Sequence, residues 1–190
     1  MTAKRVSETA TELAQIMTPN DANVLGNVFG GSILAMIDLT ASATAQKFSG
    51  RVCVTAAFER VDFHKPIAVG NLVTMKGSVS YAGRTSLEVT IEVYATDLTL
   101  GVTEHSNTAR VIMVAVENGR PTAVPELICE TREERVAFLA GRLRREIRSE
   151  RVRQFDELVA RLSEMGDARL VALMADERPL ATSLKVDVTG

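Results

Sequence analysis

The amino-acid sequence predicts an α+β fold in which an antiparallel sheet covers one long helix and a helical extension follows. Three observations predict this class. Residues 30–48 are apolar at helical spacing, residues 52–116 contain four segments typical of strands, and the composition changes at Pro125. Because a single sheet cannot bury its own apolar face, the helix is expected to cover that face.

The first element is a buried helix over residues 30–48. Its apolar positions recur at near-helical spacing, at Ile33, Ile37, Ala41, Ala45 and Phe48. Leu34 and Met36 widen this stripe until little of the helix is left for solvent, which is typical of a helix inside a core. The turn residues 49–51 (SGR) end the element.

Four segments rich in Val, Ile, Thr and Tyr follow the helix, at residues 52–61, 72–81, 86–95 and 106–116. In the third segment, apolar residues alternate with polar ones from Leu87 to Val93, which is the period of a strand with one covered face. Short turn signals separate the segments, and the Asn118-Gly119 pair is typical of a tight hairpin. Connections this short join antiparallel neighbours.

The chain is predicted to divide into a first domain, residues 1–125, and a helical extension, residues 126–190. Thr131 and Glu134 have the spacing of a capping box that begins a helix. Two apolar stripes follow, one of Val136, Leu139, Leu143 and Ile147 and one of Phe155, Leu158, Leu162 and Met165. The interleaved Arg and Glu residues are interpreted as a solvated face rather than a phosphate-binding one. Residues 176–190 are predicted to form a poorly ordered tail.

The bulk properties exclude several classes of partner. A formal net charge of -2 over 190 residues gives no reason to expect nucleic acid or an anionic membrane. Cys53 and Cys129 stand in no metal or redox motif and are expected to be free thiols. The N-terminal residues lack the apolar core of a secretory signal, and no apolar run reaches the roughly 18 residues that span a bilayer. A soluble, cytoplasmic protein is expected.

The common catalytic motifs are absent from the sequence. It contains no GxSxG nucleophile elbow and no glycine-rich phosphate loop. His64 and His105 lack the companions of zinc ligands, and His64 is interpreted as structural. No metal or cofactor is therefore expected. An enzyme with this sequence would have to work with carboxylates, amides and backbone dipoles.

The segment NDANVLGNVFGGSILAMID, residues 20–38, contains the candidates for such chemistry. Gly30 and Gly31 lie where the helix begins, so their amides could stabilise an oxyanion, and close packing of the helix explains them equally well. Asp38 could act as a general base or a nucleophile, although the residues alone marginally favour a buried structural anchor. Asn23 could hold a water or a carbonyl, or simply form a turn.

The same segment, followed by DFHKPIAVGNLV, YAGRTSLEVTIEV and VPELICETREE, resembles the hot-dog-fold acyl-CoA thioesterases over roughly residues 10–145. The resemblance is to the cytosolic long-chain acyl-CoA hydrolases and related bacterial acyl-CoA thioesterases. It implies an antiparallel sheet wrapped around one long central helix, and hydrolysis of fatty acyl-CoA to a free fatty acid and CoA. It also implies that Asn23 and Asp38 are catalytic and meet across a subunit interface, in a homodimer that commonly assembles into a trimer of dimers.

Several alternatives stay open within this resemblance. The triplet Arg84-Thr85-Ser86 occupies the position where relatives often hold CoA, and an ordinary turn explains it equally well. The residues do not decide whether Asp38 activates water or attacks the thioester itself. A dehydratase acting on an acyl thioester would need a catalytic histidine, for which neither histidine here has the context. A non-catalytic module that binds and senses acyl-CoA is the main alternative function.

Overall fold

The computed structural model describes residues 2–59, 61 and 65–186, apart from the side chains of residues 185 and 186; His64 lies outside the described residues. The helices are α1 (Val6–Thr9), α2 (Gly30–Ser49), α3 (Arg132–Ser163), α4 (Asp167–Met174) and α5 (Leu180–Val186). The strands are β1 (Lys4–Arg5), β2 (Thr11–Ile16), β3 (Val52–Phe58), β4 (Leu72–Ala82), β5 (Ser86–Asp97), β6 (Val102–Glu117), β7 (Arg120–Pro121) and β8 (Leu127–Ile128).

The main sheet is antiparallel, as the short connections predict, with the strand order β2-β4-β5-β6-β3. β7 extends the end of β6, and β1 and β8 form a separate parallel pair. The sequence did not predict β2, because its residues TELAQI show no clear alternation of apolar side chains. Its pairing with β4 defines it, and it adds to the sheet a strand that precedes the central helix.

The central helix of the fold is α2, which packs against strands β2 to β6. Its predicted core positions are buried, with Ile33 exposed by 2% and Ile37, Ala41, Ala45 and Phe48 by 0%. The helix ends at Gly50, whose φ of 66° is left-handed and whose amide donates to the Gln46 carbonyl at 2.8 Å. The predicted α+β arrangement of a sheet around one buried helix is therefore confirmed.

The Asn-Gly hairpin is also confirmed. Asn118 and Gly119 have φ values of 52° and 73°, and they connect β6 to β7 with Glu117 paired to Arg120. Positive φ at both central residues is the requirement of a two-residue turn whose twist matches that of the flanking strands.

The chain forms two compact units, Met1–Gly141 and Arg142–Gly190. The predicted capping box is present in the first unit, because the Glu134 amide donates to Thr131 Oγ1 at 3.2 Å and the Thr131 amide donates to Glu134 Oε2 at 3.1 Å. Cys53 and Cys129 are free thiols, as predicted. No helix among the described residues is long and apolar enough to cross a membrane.

The second unit contains the rest of α3 together with α4 and α5. Leu173 and Leu184 are buried there, and the Arg161 guanidinium donates to the Leu184 carbonyl. Of the second predicted stripe, Leu158, Leu162 and Met165 are partly buried. Phe155 is 66% exposed and does not share that burial. The segment predicted as a poorly ordered tail contains the short helix α5.

Candidate active site

Asp38 lies on α2 beside the edge strand β3. Thr55 of β3 donates a hydrogen bond from Oγ1 to Asp38 Oδ1 at 2.5 Å, and the same Oγ1 lies 3.5 Å from Met113 Sδ on β6. Asp38 is partly exposed and Thr55 is exposed. A carboxylate with an opening to solvent does not fit the buried anchor that the residues alone marginally favoured. It is accessible to a bound molecule.

Thr55 is a functional candidate that the sequence did not reveal. A threonine in a strand rich in β-branched residues carries no distinctive signal. Its position emerges from the pairing of β3 with β6, which sets Thr55 opposite Met113 and introduces a register irregularity between Thr55 and Ala57. Irregularities of this kind re-aim side chains at sheet edges and beside active sites.

Asn23 forms a turn in the loop before α2. Its Oδ1 accepts hydrogen bonds from the Leu25 amide at 2.8 Å and the Asn27 amide at 3.2 Å. The carboxamide oxygen is therefore engaged in holding the loop, as the turn alternative predicted. The Nδ2 group makes no hydrogen bond to any residue in the described part of the chain, so it can still donate to a ligand.

Gly30 and Gly31 form the first turn of α2. Phe29 at the N-cap supplies no side-chain hydrogen bond, and the amides of Gly30 and Gly31 have no acceptor among the described residues, so these two amides are open to an acceptor from elsewhere. A Cβ added at Gly31 would overlap the ring of Phe29, which is the N-cap residue of the same helix and not part of the sheet. Close packing of the helix on the sheet through these glycines therefore stays a prediction.

A single chain does not bring the amides at the start of α2 and the carboxylate of Asp38 to the same reacting carbonyl. Gly30 and Asp38 are eight residues apart on the same helix, and a rise of 1.5 Å per residue separates them by about 12 Å. An oxyanion donor and an attacking group must each lie about 3 Å from adjacent atoms of the same carbonyl. Asp38 and Thr55 are therefore together in this chain, whereas the helix N-terminus is too far from them to join the same step.

The Arg84-Thr85-Ser86 triplet lies at the turn between β4 and β5. The backbone holds it, since the Arg84 carbonyl accepts from the Val124 amide and the Thr85 carbonyl from the Ala115 amide, each at 3.0 Å. The Arg84 side chain is exposed. The next residue, Leu87, pairs with Met113, which pairs with Thr55. Leu87 on β5 therefore lies two strand spacings, of about 4.8 Å each, from Thr55 on β3.

His105, the histidine within the described residues, lies away from Asp38. Its Nε2 is 2.7 Å from Glu92 Oε2, and its ring meets the edge of Tyr94 at 5.3 Å between centroids. These contacts join the strands β5 and β6. They give His105 a structural role, and Asp38 stays the candidate for acid–base chemistry.

Comparison with known proteins identifies the family. Residues 25–102 match the thioesterase superfamily. The chain is 34% identical to protein VdlD of Helicobacter pylori over 72% of this chain and 79% of that protein. It is 37% identical to the uncharacterized acyl-CoA thioester hydrolase YkhA of Bacillus subtilis over 61% of this chain and 68% of that protein.

Solved structures agree with the fold. An apo-hexameric acyl-CoA thioesterase superposes with a TM-score of 0.76 at 34% identity, covering 80% of this chain and 98% of the other. The acyl-CoA hydrolase of Staphylococcus aureus, in complex with butyryl coenzyme A, coenzyme A and coenzyme A disulfide, gives 0.75 at 30% identity over 85% and 99% of the two chains. Structures of that enzyme also exist with one asparagine, one aspartate or one threonine replaced by alanine.

The fold expected from the sequence resemblance is thereby confirmed, with α2 as the helix around which the sheet wraps. The helical extension that begins with α3 follows that fold, as expected. The chain belongs to the thioesterase superfamily and has the hot-dog fold of its acyl-CoA thioesterases.

Proposed function

We propose that this chain hydrolyses acyl-CoA thioesters to a free fatty acid and CoA. The observation that carries the proposal is the Asp38–Thr55 pair, an accessible carboxylate with a hydroxyl partner 2.5 Å away, on a thioesterase-superfamily fold. The names of the similar proteins support the same reaction, as does the butyryl coenzyme A bound to the Staphylococcus aureus enzyme.

Asp38 delivers the attack on the thioester carbonyl carbon. In one route the carboxylate takes a proton from water, the resulting hydroxide adds to the carbonyl carbon, and the C–S bond breaks as CoA leaves and receives that proton. In the other route the carboxylate adds directly and forms an anhydride, which water then hydrolyses. Thr55 donates to Oδ1, and Oδ2 accepts no hydrogen bond from the described residues, so we assign the attack to Oδ2 in either route.

Single-turnover hydrolysis in water enriched in oxygen-18 tests the choice between these routes. The water route places the label in the fatty acid alone. Label recovered in the Asp38 carboxylate, read by mass spectrometry of the peptide, identifies the anhydride route.

The spacing of Asn23, Asp38 and Thr55 supports their assignment to one site. The asparagine, aspartate and threonine replaced in the Staphylococcus aureus enzyme are separated by intervals of 15 and 17 residues. The same intervals separate Asn23 from Asp38 and Asp38 from Thr55 in this chain. We propose that Asp38 attacks, that Thr55 orients its carboxylate, and that Asn23 Nδ2 donates to the thioester carbonyl.

The separation of about 12 Å between Gly30 and Asp38 leads us to propose that two copies of the chain build each site. Asn23, Gly30 and Gly31 of one copy would polarise the carbonyl that Asp38 of the other attacks. The strand β3 beside Asp38 is a sheet edge, and it exposes Val52, Val54 and Phe58 by 61%, 47% and 40%. An open apolar edge of this kind favours pairing with a second copy. We propose a homodimer, assembled further as a trimer of dimers.

The turn at Arg84, Thr85 and Ser86 is proposed to hold CoA. Its distance from Thr55, two strand spacings, places it within reach of a CoA whose thioester lies at Asp38. The exposed Arg84 guanidinium offers donors for a phosphate, and the two hydroxyls add further donors. No metal or organic cofactor enters this scheme, and neither nucleic acid nor a membrane is part of it.

A panel of acyl-CoA thioesters assayed for free thiol tests the activity. The wild-type chain is expected to release CoA, and the Asp38→Asn variant to bind the same thioesters without rapid release. Wild-type protein that binds acyl-CoA and releases no thiol would instead establish a sensing module.

Mixing two inactive variants tests the shared site. Coexpressed Asn23→Ala and Asp38→Asn chains that form mixed dimers would contain one site with both groups intact. Thiol release from the purified mixture is expected to exceed that of either variant alone. A mixture no more active than its components would mean that each chain builds its own site.

Two further predictions from the sequence remain part of the proposal. A hot-dog domain of residues 1–125 with a helical extension of residues 126–190 would be tested by limited proteolysis of the full chain. A cytoplasmic location would be tested by fractionation of the cells that make the protein.

A further inference from the structure

The turn that begins at Asn23 presents two consecutive aliphatic side chains to solvent. Val24 is fully exposed and Leu25 is 81% exposed. One exposed apolar residue on a surface is ordinary, whereas adjacent ones at the tip of a loop are typical of a contact surface. The described part of the single chain therefore gives these two side chains no packing role.

The backbone of this turn is held in place in spite of its exposure. The Gly26 amide donates to the Asn23 carbonyl at 3.0 Å, and the Asn23 amide donates to the Asn27 carbonyl at 2.7 Å. Gly26 has a φ of 80°, a left-handed conformation that glycine adopts without strain. Because the turn is fixed in advance, Leu25 loses little backbone freedom when it contacts another molecule.

Leu25 is also bonded to the group that is proposed to polarise the thioester. Its amide donates to Asn23 Oδ1 at 2.8 Å. Oδ1 and Nδ2 are attached to the same carbon, so the Leu25 nitrogen lies within about 5.5 Å of Nδ2. A thioester carbonyl that accepts a hydrogen bond from Nδ2 therefore has Leu25 as a near neighbour.

The strand order indicates the direction in which the acyl chain extends from Asp38. CoA is proposed to lie at the Arg84-Thr85-Ser86 turn, which is on the β5 side of Thr55. The sulfur and the acyl chain leave the carbonyl carbon in different directions, so the acyl chain extends the other way, past the sheet edge at β3. β3 is the last strand of the described sheet. In the proposed dimer the second copy lies beyond that edge, and its Asn23 turn meets Asp38 there.

We propose that Leu25 of one copy binds the acyl chain of the thioester that Asp38 of the other copy attacks. An apolar side chain stabilises a ligand in proportion to the apolar area that it covers, so it acts only on substrates long enough to reach it. Leu25 is therefore a specificity-determining residue that favours acyl-CoAs with a long apolar chain over acetyl-CoA. The inference rests on the proposed acyl-CoA hydrolysis in a shared site, and it names the substrate class of that site.

The first test compares palmitoyl-CoA with acetyl-CoA on the full-length Leu25→Ala variant. Truncation removes apolar contact with the long chain only, so kcat/KM for palmitoyl-CoA is expected to fall about tenfold while that for acetyl-CoA stays within about twofold. Because Leu25 is exposed in the single chain, the variant is expected to fold like the wild type. A wild-type ratio of the two values, whether or not both have fallen, would overturn the inference.

Leu139→Ala on α3 is the matched control, because it makes the same truncation at a side chain that is 60% exposed. It should keep the wild-type ratio of palmitoyl-CoA to acetyl-CoA hydrolysis. A change as large as that of Leu25→Ala would show that the loss of any exposed leucine alters the ratio, and the inference would then fail.

Mixed dimers show which copy supplies the contact. A dimer of an Asp38→Asn chain with an Asn23→Ala chain contains one complete site, in which the first chain supplies Asn23 and the second supplies Asp38. Leu25→Ala added to the Asp38→Asn chain is expected to lower the ratio of palmitoyl-CoA to acetyl-CoA hydrolysis about tenfold. The same change added to the Asn23→Ala chain should leave the ratio as it was. The opposite pattern would place Leu25 in the copy that attacks and would contradict the inference.

Binding of non-hydrolysable thioether analogues, measured by calorimetry, separates the inference from the proposed function. Leu25→Ala is expected to weaken binding of the palmitoyl analogue about tenfold and to leave binding of the acetyl analogue unchanged. This result without turnover of any thioester would retain Leu25 as the acyl contact and refute the hydrolase. Turnover of both thioesters, with the palmitoyl analogue bound equally by wild type and Leu25→Ala, would retain the hydrolase and refute the contact.

Discussion

The two long helices of this chain are stabilised in different ways. α2 has 20 residues, nine of them buried, whereas α3 has 32 residues of which only Gly141 is buried. α2 is held by its packing against the sheet. α3 carries Arg–Glu pairs along its surface, including Arg153 with Glu150 at 2.7 Å and with Glu157 at 2.8 Å, and such pairs support a helix locally.

This difference between the two helices explains why the one carboxylate on α2 is more informative about function than the many acidic residues on α3. On α3 a charged side chain is the ordinary case, since the helix is solvated along most of its length. On α2 the single carboxylate, Asp38, interrupts an apolar surface and has a specific partner in Thr55. A polar group retained on a buried helix requires a reason, and here the reason we infer is catalysis.

The largest expected effect is the loss of the α2 carboxylate. Asp38→Asn removes the attacking group while keeping its size, so kcat/KM for palmitoyl-CoA should fall by about a hundredfold or more. Asp156→Asn on α3 is the matched control and should leave kcat/KM unchanged. Similar activities for the two variants would exclude Asp38 from the chemistry.

The next effect concerns stability. Ile37→Ala deletes a side chain that is 0% exposed on α2 and should lower the free energy of unfolding by about 2–5 kcal/mol. Leu143→Ala on α3, where the side chain is 54% exposed, should lower it by about 0.5 kcal/mol. Urea titration followed by circular dichroism measures both. Equal losses would mean that the assembled protein buries the exposed stripe of α3.

A smaller change in activity is expected at the partner of Asp38. Thr55→Val removes the hydrogen bond to the carboxylate. Because the acceptor is charged, we expect kcat/KM to fall by about tenfold. Thr55→Ser keeps the hydroxyl and should restore most of the activity, with KM little changed in either variant. If serine and valine have the same effect, Thr55 acts through packing alone.

The smallest effect is expected on the surface of α3. The hydrogen bond from Arg153 holds the pKa of the Glu150 carboxyl below its usual value. The pair therefore stabilises the fold above the ordinary pKa of glutamate, and this contribution is lost as the pH falls through the lower pKa of the folded state. Arg153→Gln should shift the thermal midpoint very little at pH 7, and added salt should remove that shift. A large shift would indicate that the pair is buried in the assembly.

Much of the fold could be predicted from the sequence because its signals are local. The spacing of Ile33, Ile37 and Ala41 predicts a buried helix, and the alternation from Leu87 to Val93 predicts a strand. The Asn118-Gly119 turn follows from the backbone freedom of two residues. β2 was missed because an edge strand with little alternation is defined by its neighbour rather than by its own residues.

The sequence by itself determined the class of the fold, the central helix and the candidates Asn23 and Asp38, because apolar periodicity and a long motif are properties of contiguous residues. Only the tertiary structure decided that Asp38 is accessible and bonded to Thr55. This contact depends on the packing of α2 against β3 and on the register of β3 with β6. Such contacts join residues far apart in the sequence, so no local pattern contains them.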